Sequence, residues 1–340
     1  MTKKILIVRF SSIGDIVLTT PVIRAVKTQF NHGDVELHYL TKSAFEPILE
    51  ANPYIDQLIT IKHHVSEITG FLRKKQYDYV IDLHNNLRSF QVKMALRRPT
   101  YTLDKMDLRR LLYIRFKINL LPDSHIVDRY LDVVRPLGIF NDKRGLDYFI
   151  RPQDEPEPHS IPASHRDAYI AIVIGGKHTG KCYPSQHLVQ VCQQLESPII
   201  LLGGPSDWKR GDRIAEQVGD KVFNACGRFS LNQSAALVRD ARCVISNDTG
   251  LMHIATAFKK IIISLWGATV PQFGMYPYLP GVGSQILEAQ SPQRPYSKHG
   301  GKALFRPPYS CWSGLEPEKV ILAIQGSGHL APASQASSLG

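Results

Sequence analysis

The chain has 340 residues, with 41 Lys and Arg against 30 Asp and Glu and a formal net charge of +11. At roughly 100 to 200 residues per domain this length points to two domains, and the excess of positive charge points to acidic partners such as nucleic acid, anionic lipid or phosphorylated small molecules. The five cysteines are scattered, odd in number and without a Cys-x-x-Cys pair, which argues against a disulfide framework or a zinc site and fits a reducing compartment. No stretch reaches about 18 apolar residues, so no membrane span is expected. Residues 1–8 carry Lys3 and Lys4 and an apolar run too short for a signal-peptide core, so the expected location is the cytoplasm.

Along the first half, an apolar strand is predicted at residues 5–10, followed by a polar turn at 11–15 and a helix at about 17–29. Further strands are predicted at 35–40, 57–61 and 79–83, with helix-like segments between them. This alternation reads as βαβ units around a parallel sheet. Residues 88–117 hold nine basic residues against only Asp104 and Asp107. Within this run, 108–121 mixes charge with Leu111, Leu112, Ile114, Phe116, Ile118 and Leu120, helical in its first half and strand-like in its second. It reads either as a solvated face over a core or as a surface for an acidic acceptor or anionic headgroups. Residues 151–164 break the pattern with four prolines among three acids, which is the composition of a linker.

The second half repeats the theme. Strands are predicted at 169–174, 199–202, 243–245 and 261–265, each running into a glycine-rich or polar turn. Ligands of doubly wound sheets bind outside the carboxyl ends of the strands, so these turns converge on one crevice. The predicted domains are 1–155 and 165–325, and 326–340, poor in large apolar residues, is expected to be a disordered tail.

Three turns carry candidate chemistry. The first, Arg9-Phe10-Ser11-Ser12-Ile13-Gly14-Asp15, follows the first strand but lacks Gly-x-Gly-x-x-Gly, which counts against a dinucleotide-dependent oxidoreductase. Asp15 is either a first-turn acid favoured by the helix dipole or a carboxylate able to take a proton from a hydroxyl. The second, Gly175 to Pro184, contains Gly-Lys-His-Thr-Gly-Lys, but Cys182 stands where a P-loop has Ser or Thr, so a magnesium-binding Walker site is not expected. Its two lysines suit a diphosphate. The third, Ser246-Asn247-Asp248-Thr249-Gly250-Leu251-Met252-His253, sits between a strand and a helix. Asp248 and Thr249 are good N-cap types, and Gly250 admits a ligand close to the backbone. Either Asp248 caps the helix and His253 is a core histidine, or the turn holds an anion. No Asp-x-Asp pair, His-Glu-x-x-His or Cys/His cluster is present, so neither a metal site nor a cofactor is expected. No nucleic-acid-binding motif accompanies the charge, so nucleic acid is not the expected partner.

Together, Arg9 to Asp15 with Thr20-Pro21, the Lys181-Cys182-Tyr183-Pro184 segment, and Asp248 to His253 resemble glycosyltransferase family 9, the bacterial ADP-heptose:lipopolysaccharide heptosyltransferases, in order over residues 3–325. The resemblance implies the GT-B architecture, an α/β fold of two Rossmann-like, doubly wound domains with an interdomain cleft. The N-terminal domain would bind acceptor and the C-terminal domain the nucleotide-sugar donor. It implies inverting, metal-independent transfer of a heptose from ADP-heptose to the lipopolysaccharide inner core. Asp15 would be the general base. Lys181, Asp248, Thr249, Gly250 and His253 would bind donor, joined by Gly176 and Lys177 of the loop, with Asp207 near the nucleoside. Ser12, Gly14, His84, Asn85, Asn86 and Arg88 would lie on the acceptor side, and helix capping is an equal reading for some of them. The implied partners are the donor, a phosphorylated lipid A core and the anionic inner membrane, touched from its cytoplasmic face. Two departures leave the sugar and nucleotide open: Tyr183 stands where the family often has Trp, and Gly176 and Lys177 stand where some members have threonines. A family 9 transferase using another nucleotide sugar for a different surface glycan is the alternative.

Overall fold

Near-continuous apolar runs such as Ile5-Leu6-Ile7-Val8 are what parallel strands buried on both faces require, and the architecture is built from them. The computed structural model describes residues 2–301 and 311–327. In the first half, β1 (Lys3–Val8), β2 (Val35–Lys42), β3 (Gln57–Ile61), β4 (Tyr79–Asp82) and β5 (Thr100–Thr102) form a five-stranded sheet in the order β3-β2-β1-β4-β5. In the second half, β6 (Ile170–Val173), β7 (Ile199–Leu202), β8 (Val222–Asn224), β9 (Cys243–Asn247), β10 (Ile261–Trp266) and β11 (Gln285–Glu288) form a six-stranded sheet in the order β11-β10-β9-β6-β7-β8. Every pairing among the described residues is parallel. Both orders reverse at the first strand of their half, so each sheet has its switch point beside β1 or β6.

The side chains of each strand alternate between two cores. Ile5 and Ile7 join a cluster with Val22, Ile23 and Tyr39 on one face, whereas Leu6 and Val8 join Leu40, Val80 and Val92 on the other. In the second sheet Ile170 and Ile172 divide in the same way from Tyr169, Ala171 and Val173. The covering helices of the first half are α1 (Ile13–Val17), α2 (Thr20–Gln29), α3 (Thr69–Lys74), α4 (Leu87–Leu96), α5 (Asp107–Phe116) and α6 (Ile126–Val134). Those of the second are α7 (Ser185–Gln194), α8 (Trp208–Val218), α9 (Leu231–Asp240), α10 (Gly250–Ala257) and α11 (Pro317–Gly326).

Several expectations need correction. The helix expected at 17–29 is two helices broken at Leu18 and Thr19, where the Thr19 hydroxyl donates to the carbonyl of Ile16 (2.7 Å). Residues 107–116 are helix, and the alternation at 117–121 forms no strand, because Lys117 takes a left-handed conformation (φ 61°) that ends α5. The proline-rich segment folds into three short 3-10 turns. It is pinned by Arg151 to Glu50 (2.7 Å) and by Arg239 to Glu155 (2.6 Å). The C-terminal helix runs to Gly326, and the rest of the expected tail, from residue 328, lies outside the described residues.

The halves meet through α1 and α10. Ala235 and Ile254 from the second half join the core cluster of the first, so an apolar seam runs under the junction. At its upper edge two glycines let the backbones approach. A Cβ on Gly14 would stand 2.5 Å from His253 Cδ2, and one on Gly250 would stand 2.6 Å from Ile13 Cγ2.

Candidate active site

Above this junction lies a cavity of about 640 Å³. Its first wall comprises the Arg9 to Asp15 turn with His84, Lys105, Arg110, Arg129 and Tyr130. Its second comprises Lys177, His178, Lys181, the Asp248 to Gly250 turn, His253, Lys298 and His299. Among the described residues seven Lys and Arg line it against two Asp, so the cavity is strongly electropositive and suits an anionic ligand.

On the first wall, Arg9 emerges from β1 and is almost wholly buried. Its Nε donates to the Ser11 carbonyl (2.7 Å), its Nη1 to the Leu83 carbonyl (2.5 Å), and its Nη2 meets Asp15 Oδ1 (2.7 Å). Asp15 Oδ2 accepts from the Ser12 amide (3.1 Å) and hydroxyl (2.7 Å). Burial pushes the Asp15 carboxyl up, but Arg9 and the Ser12 donors outweigh it and bring it down to about 2. Asp15 is therefore both ionised and held by each oxygen, more than the first-turn acid of the simpler reading.

The neighbouring turn after β4 is stitched to this one. The Asp82 carboxylate accepts from the amides of His84 (3.0 Å) and Asn85 (2.7 Å) and pairs with Lys93 (2.9 Å), while the Phe10 amide donates to His84 Nδ1 (3.1 Å). Burial, then Arg9 and Lys105, bring the His84 imidazole down to about 3, so it is neutral. Of the acceptor-side candidates in this turn only His84 reaches the cavity wall. Asn86 caps α4 by accepting from the Ser89 amide (2.9 Å), Asn85 donates to the Leu103 carbonyl (2.9 Å) from a left-handed backbone (φ 50°), and Arg88 on α4 lies off the wall. Capping and turn geometry claim Asn86 and Asn85.

On the second wall, Lys181 is paired with the Asp248 carboxylate, which also accepts from the Thr269 hydroxyl (3.0 Å). Asp248 does not cap the helix: Thr249 occupies the N-cap position of α10, and its side chain makes no capping bond. Buried Asn247 ties the two turns together, its Oδ1 accepting from the Tyr183 amide (3.2 Å) and its Nδ2 donating to the Val173 carbonyl (3.1 Å). Arg210 braces the 175–184 loop by donating to the Ile174 carbonyl (2.8 Å) and the Ser185 hydroxyl (2.8 Å). His253 is buried with Nδ1 unpartnered among the described residues, and that burial lowers it to about 4, so it too is neutral. Lys177 lines the cavity, but Gly176 and Asp207 do not. Gly176 faces Cys182 Sγ, 3.0 Å from where its Cβ would stand, and Asp207 turns back to accept from the Gly204 amide (2.9 Å).

Sequence reasoning missed Arg110, Arg129, Lys105, Lys298 and His299 as wall residues. Lys105 and Arg110 lay in the basic run, but only the orientation of α5 separates Arg110, turned inward, from Arg109, turned out. Both Arg110 and Arg129 keep a buried Nε without a partner among the described residues. Their cations are turned into the cavity beside Asp15, and an anionic group there would satisfy them. Among the described residues no cluster of three or more metal-type ligands assembles, and no helix is long and apolar enough to cross a membrane.

Comparison with known proteins bears on this arrangement. Residues 67–298 match the profile of glycosyltransferase family 9 (heptosyltransferase). Lipopolysaccharide heptosyltransferase 1 of Campylobacter coli is 26% identical over 293 residues, covering 78% of this chain and 84% of that one. The crystal structure of the glycosyl transferase family 9 from Veillonella parvula DSM 2008 superposes with a TM-score of 0.76 at 22% identity, over 96% of this chain and 97% of that one. The E. coli heptosyltransferase WaaC with ADP-2-deoxy-2-fluoro heptose superposes with a TM-score of 0.66 at 20% identity, over 95% and 99%. Two Rossmann-like domains facing across a cleft, with this likeness, are the GT-B fold.

Proposed function

The chain belongs to glycosyltransferase family 9, and from that membership and the cleft we propose that it transfers a heptose from ADP-heptose to the inner core of lipopolysaccharide with inversion. The observation that carries the reading is the opposition of Asp15 on one wall to the Lys181 and Asp248 turns on the other, within one electropositive cavity. An acceptor hydroxyl held at Asp15 loses its proton to the carboxylate as its oxygen attacks the anomeric carbon. The leaving diphosphate takes Lys181 from Asp248 and meets the amides at Thr249 and Gly250, so the charge that develops is met by groups already in place. Asp15 is a weak base in the free enzyme, and its use depends on the hydroxyl being placed against it, a contribution of orientation more than of basicity.

The outer surface supports a peripheral contact with an anionic membrane. Leu108 (70% exposed), Leu111 (55%) and Phe116 (64%) project from α5, with exposed Ile118 and Leu120 following, among exposed Arg109 and Arg115. Apolar side chains interleaved with cations fit an anionic bilayer surface, and α5 also supplies Arg110 to the cavity, so a membrane met by α5 would lie beside the cleft.

The test is to offer ADP-heptose beside a panel of UDP-, GDP- and ADP-sugars with a lipid A core acceptor, and to follow the nucleotide released. Release of ADP from ADP-heptose alone is expected. Preferential turnover of another nucleotide sugar would overturn the heptose assignment in favour of a different surface glycan.

A further inference from the structure

The His84 imidazole has its protonation pattern fixed by the backbone. Nδ1 accepts from the Phe10 amide (3.1 Å), so it carries no proton, and the ring is neutral with its hydrogen on Nε2. The charged groups around it are Arg9 from the end of β1, Lys105 from the segment before α5, Asp15 from α1 and Asp82 from β4. Burial and the two cations oppose a second proton more than the carboxylates favour one. Asp82 is already paired with Lys93, and it fixes the turn by accepting from the His84 and Asn85 amides. His84 lines the cavity on the same wall as Asp15, and Nε2 has no hydrogen-bond partner among the described residues. The ring is thus anchored on one nitrogen with its only N–H left for a ligand. A neutral donor does not compete with Asp15 for a hydroxyl proton and, unlike the cations around it, needs no anion as its partner.

We propose that His84 is a specificity residue that donates its Nε2–H to a neutral oxygen, a hydroxyl or ring oxygen, of the acceptor sugar whose attacking hydroxyl lies at Asp15. This rests on the acceptor occupying the first wall, as in the reaction proposed above.

Two substitutions separate the two nitrogens. His84→Gln keeps an N–H near the position of Nε2 but leaves the Phe10 amide unpaired, whereas His84→Asn keeps an acceptor for that amide and loses the donor to the cavity. The expected result is crossed. His84→Asn raises the acceptor KM about tenfold, the scale of one lost hydrogen bond, with donor KM and thermal stability close to wild type. His84→Gln lowers thermal stability but keeps the acceptor KM within about threefold. A purely structural role gives the opposite order, with Gln the worse enzyme, and that order overturns the proposal, as does an unchanged acceptor KM in His84→Asn. The imidazole nitrogens are read separately by ¹⁵N NMR of the full chain. Nδ1 is expected to be unprotonated and Nε2 protonated between about pH 5 and 8, and a proton on Nδ1 in that range overturns the assignment. A wild-type enzyme inactive with every nucleotide sugar would instead refute the reaction, a failure that this spectrum distinguishes.

Discussion

Gly14 and His253 meet across the floor of the cleft so closely that no side chain fits between them: a Cβ on Gly14 would lie 2.5 Å from His253 Cδ2. One residue belongs to the turn that carries Asp15, the other to the helix that follows Asp248. Their contact therefore sets the separation of the two walls. The matching approach of Gly250 to Ile13 repeats the constraint from the other side.

Gly14→Ala and Gly250→Ala should each force the walls apart while leaving both sheets intact, since neither glycine has a left-handed backbone. Transfer is expected to fall by at least about tenfold, the effect of misplacing reacting groups by a fraction of an ångström to one ångström. Small-angle scattering should show a wider molecule with unchanged circular dichroism. Wild-type kcat in both variants would mean that the junction yields without consequence.

Asp15→Asn keeps the shape of the side chain and removes its capacity to take a proton. Turnover should drop by about 10² to 10⁴, the usual worth of general-base catalysis, while the affinity for donor stays within experimental error. The measurement is steady-state transfer beside calorimetric titration with the nucleotide sugar. Near-normal kcat would exclude Asp15 as the base.

Arg9 holds Asp15 far below its ordinary value near 3.8, so the carboxylate is ionised at every pH above about 2. The sign follows from linkage: the stabilisation this pair contributes is present above the unfolded value and is lost as the pH falls through the folded one. In Arg9→Gln the upward push of burial is no longer opposed by that cation. The acid limb of the kcat/KM profile should then move to higher pH, whereas wild type shows no limb from Asp15 near neutrality. A profile that does not move would separate Arg9 from the ionisation of Asp15.

Lys181→Ala removes the cation that pairs with Asp248 in the ligand-free cleft. Donor and nucleoside diphosphate should both bind more weakly, because a charge-assisted contact to the diphosphate is lost and Asp248 is left without its counter-ion. Isothermal titration with nucleoside diphosphate tests this directly, and unchanged affinity would count against a phosphate contact.

Co-sedimentation with vesicles containing anionic lipid should retain the protein at low salt and release much of it at high salt. Replacing Leu108, Leu111 and Phe116 by Ser should weaken retention without altering the cavity, since all three are exposed. Equal partition to neutral and anionic vesicles would exclude an electrostatic contact.

The sequence by itself determined the alternation of strands and helices, because a buried parallel strand needs an unbroken apolar run and a covering helix needs its period. It also located the three turns at Asp15, Lys181 and Asp248, since polar and glycine residues at strand ends are a local signal. The strands it did not disclose, β5, β8 and β11, are edge strands in which polar residues leave no apolar run longer than two, Thr100-Tyr101-Thr102, Val222-Phe223-Asn224 and Gln285-Ile286-Leu287-Glu288. Only the tertiary structure decided which side chains face one another. It turned Asn86 to capping and Asn85 to the Leu103 carbonyl, set Asp207 back against Gly204, brought Arg110 and Arg129 inward, and joined Arg9 to both Asp15 and Leu83. Local sequence fixes the conformation of a turn through its own few residues, but the direction in which a side chain points across a cleft depends on the packing of helices far apart in the chain. The contact of Gly14 with His253 is of that second kind.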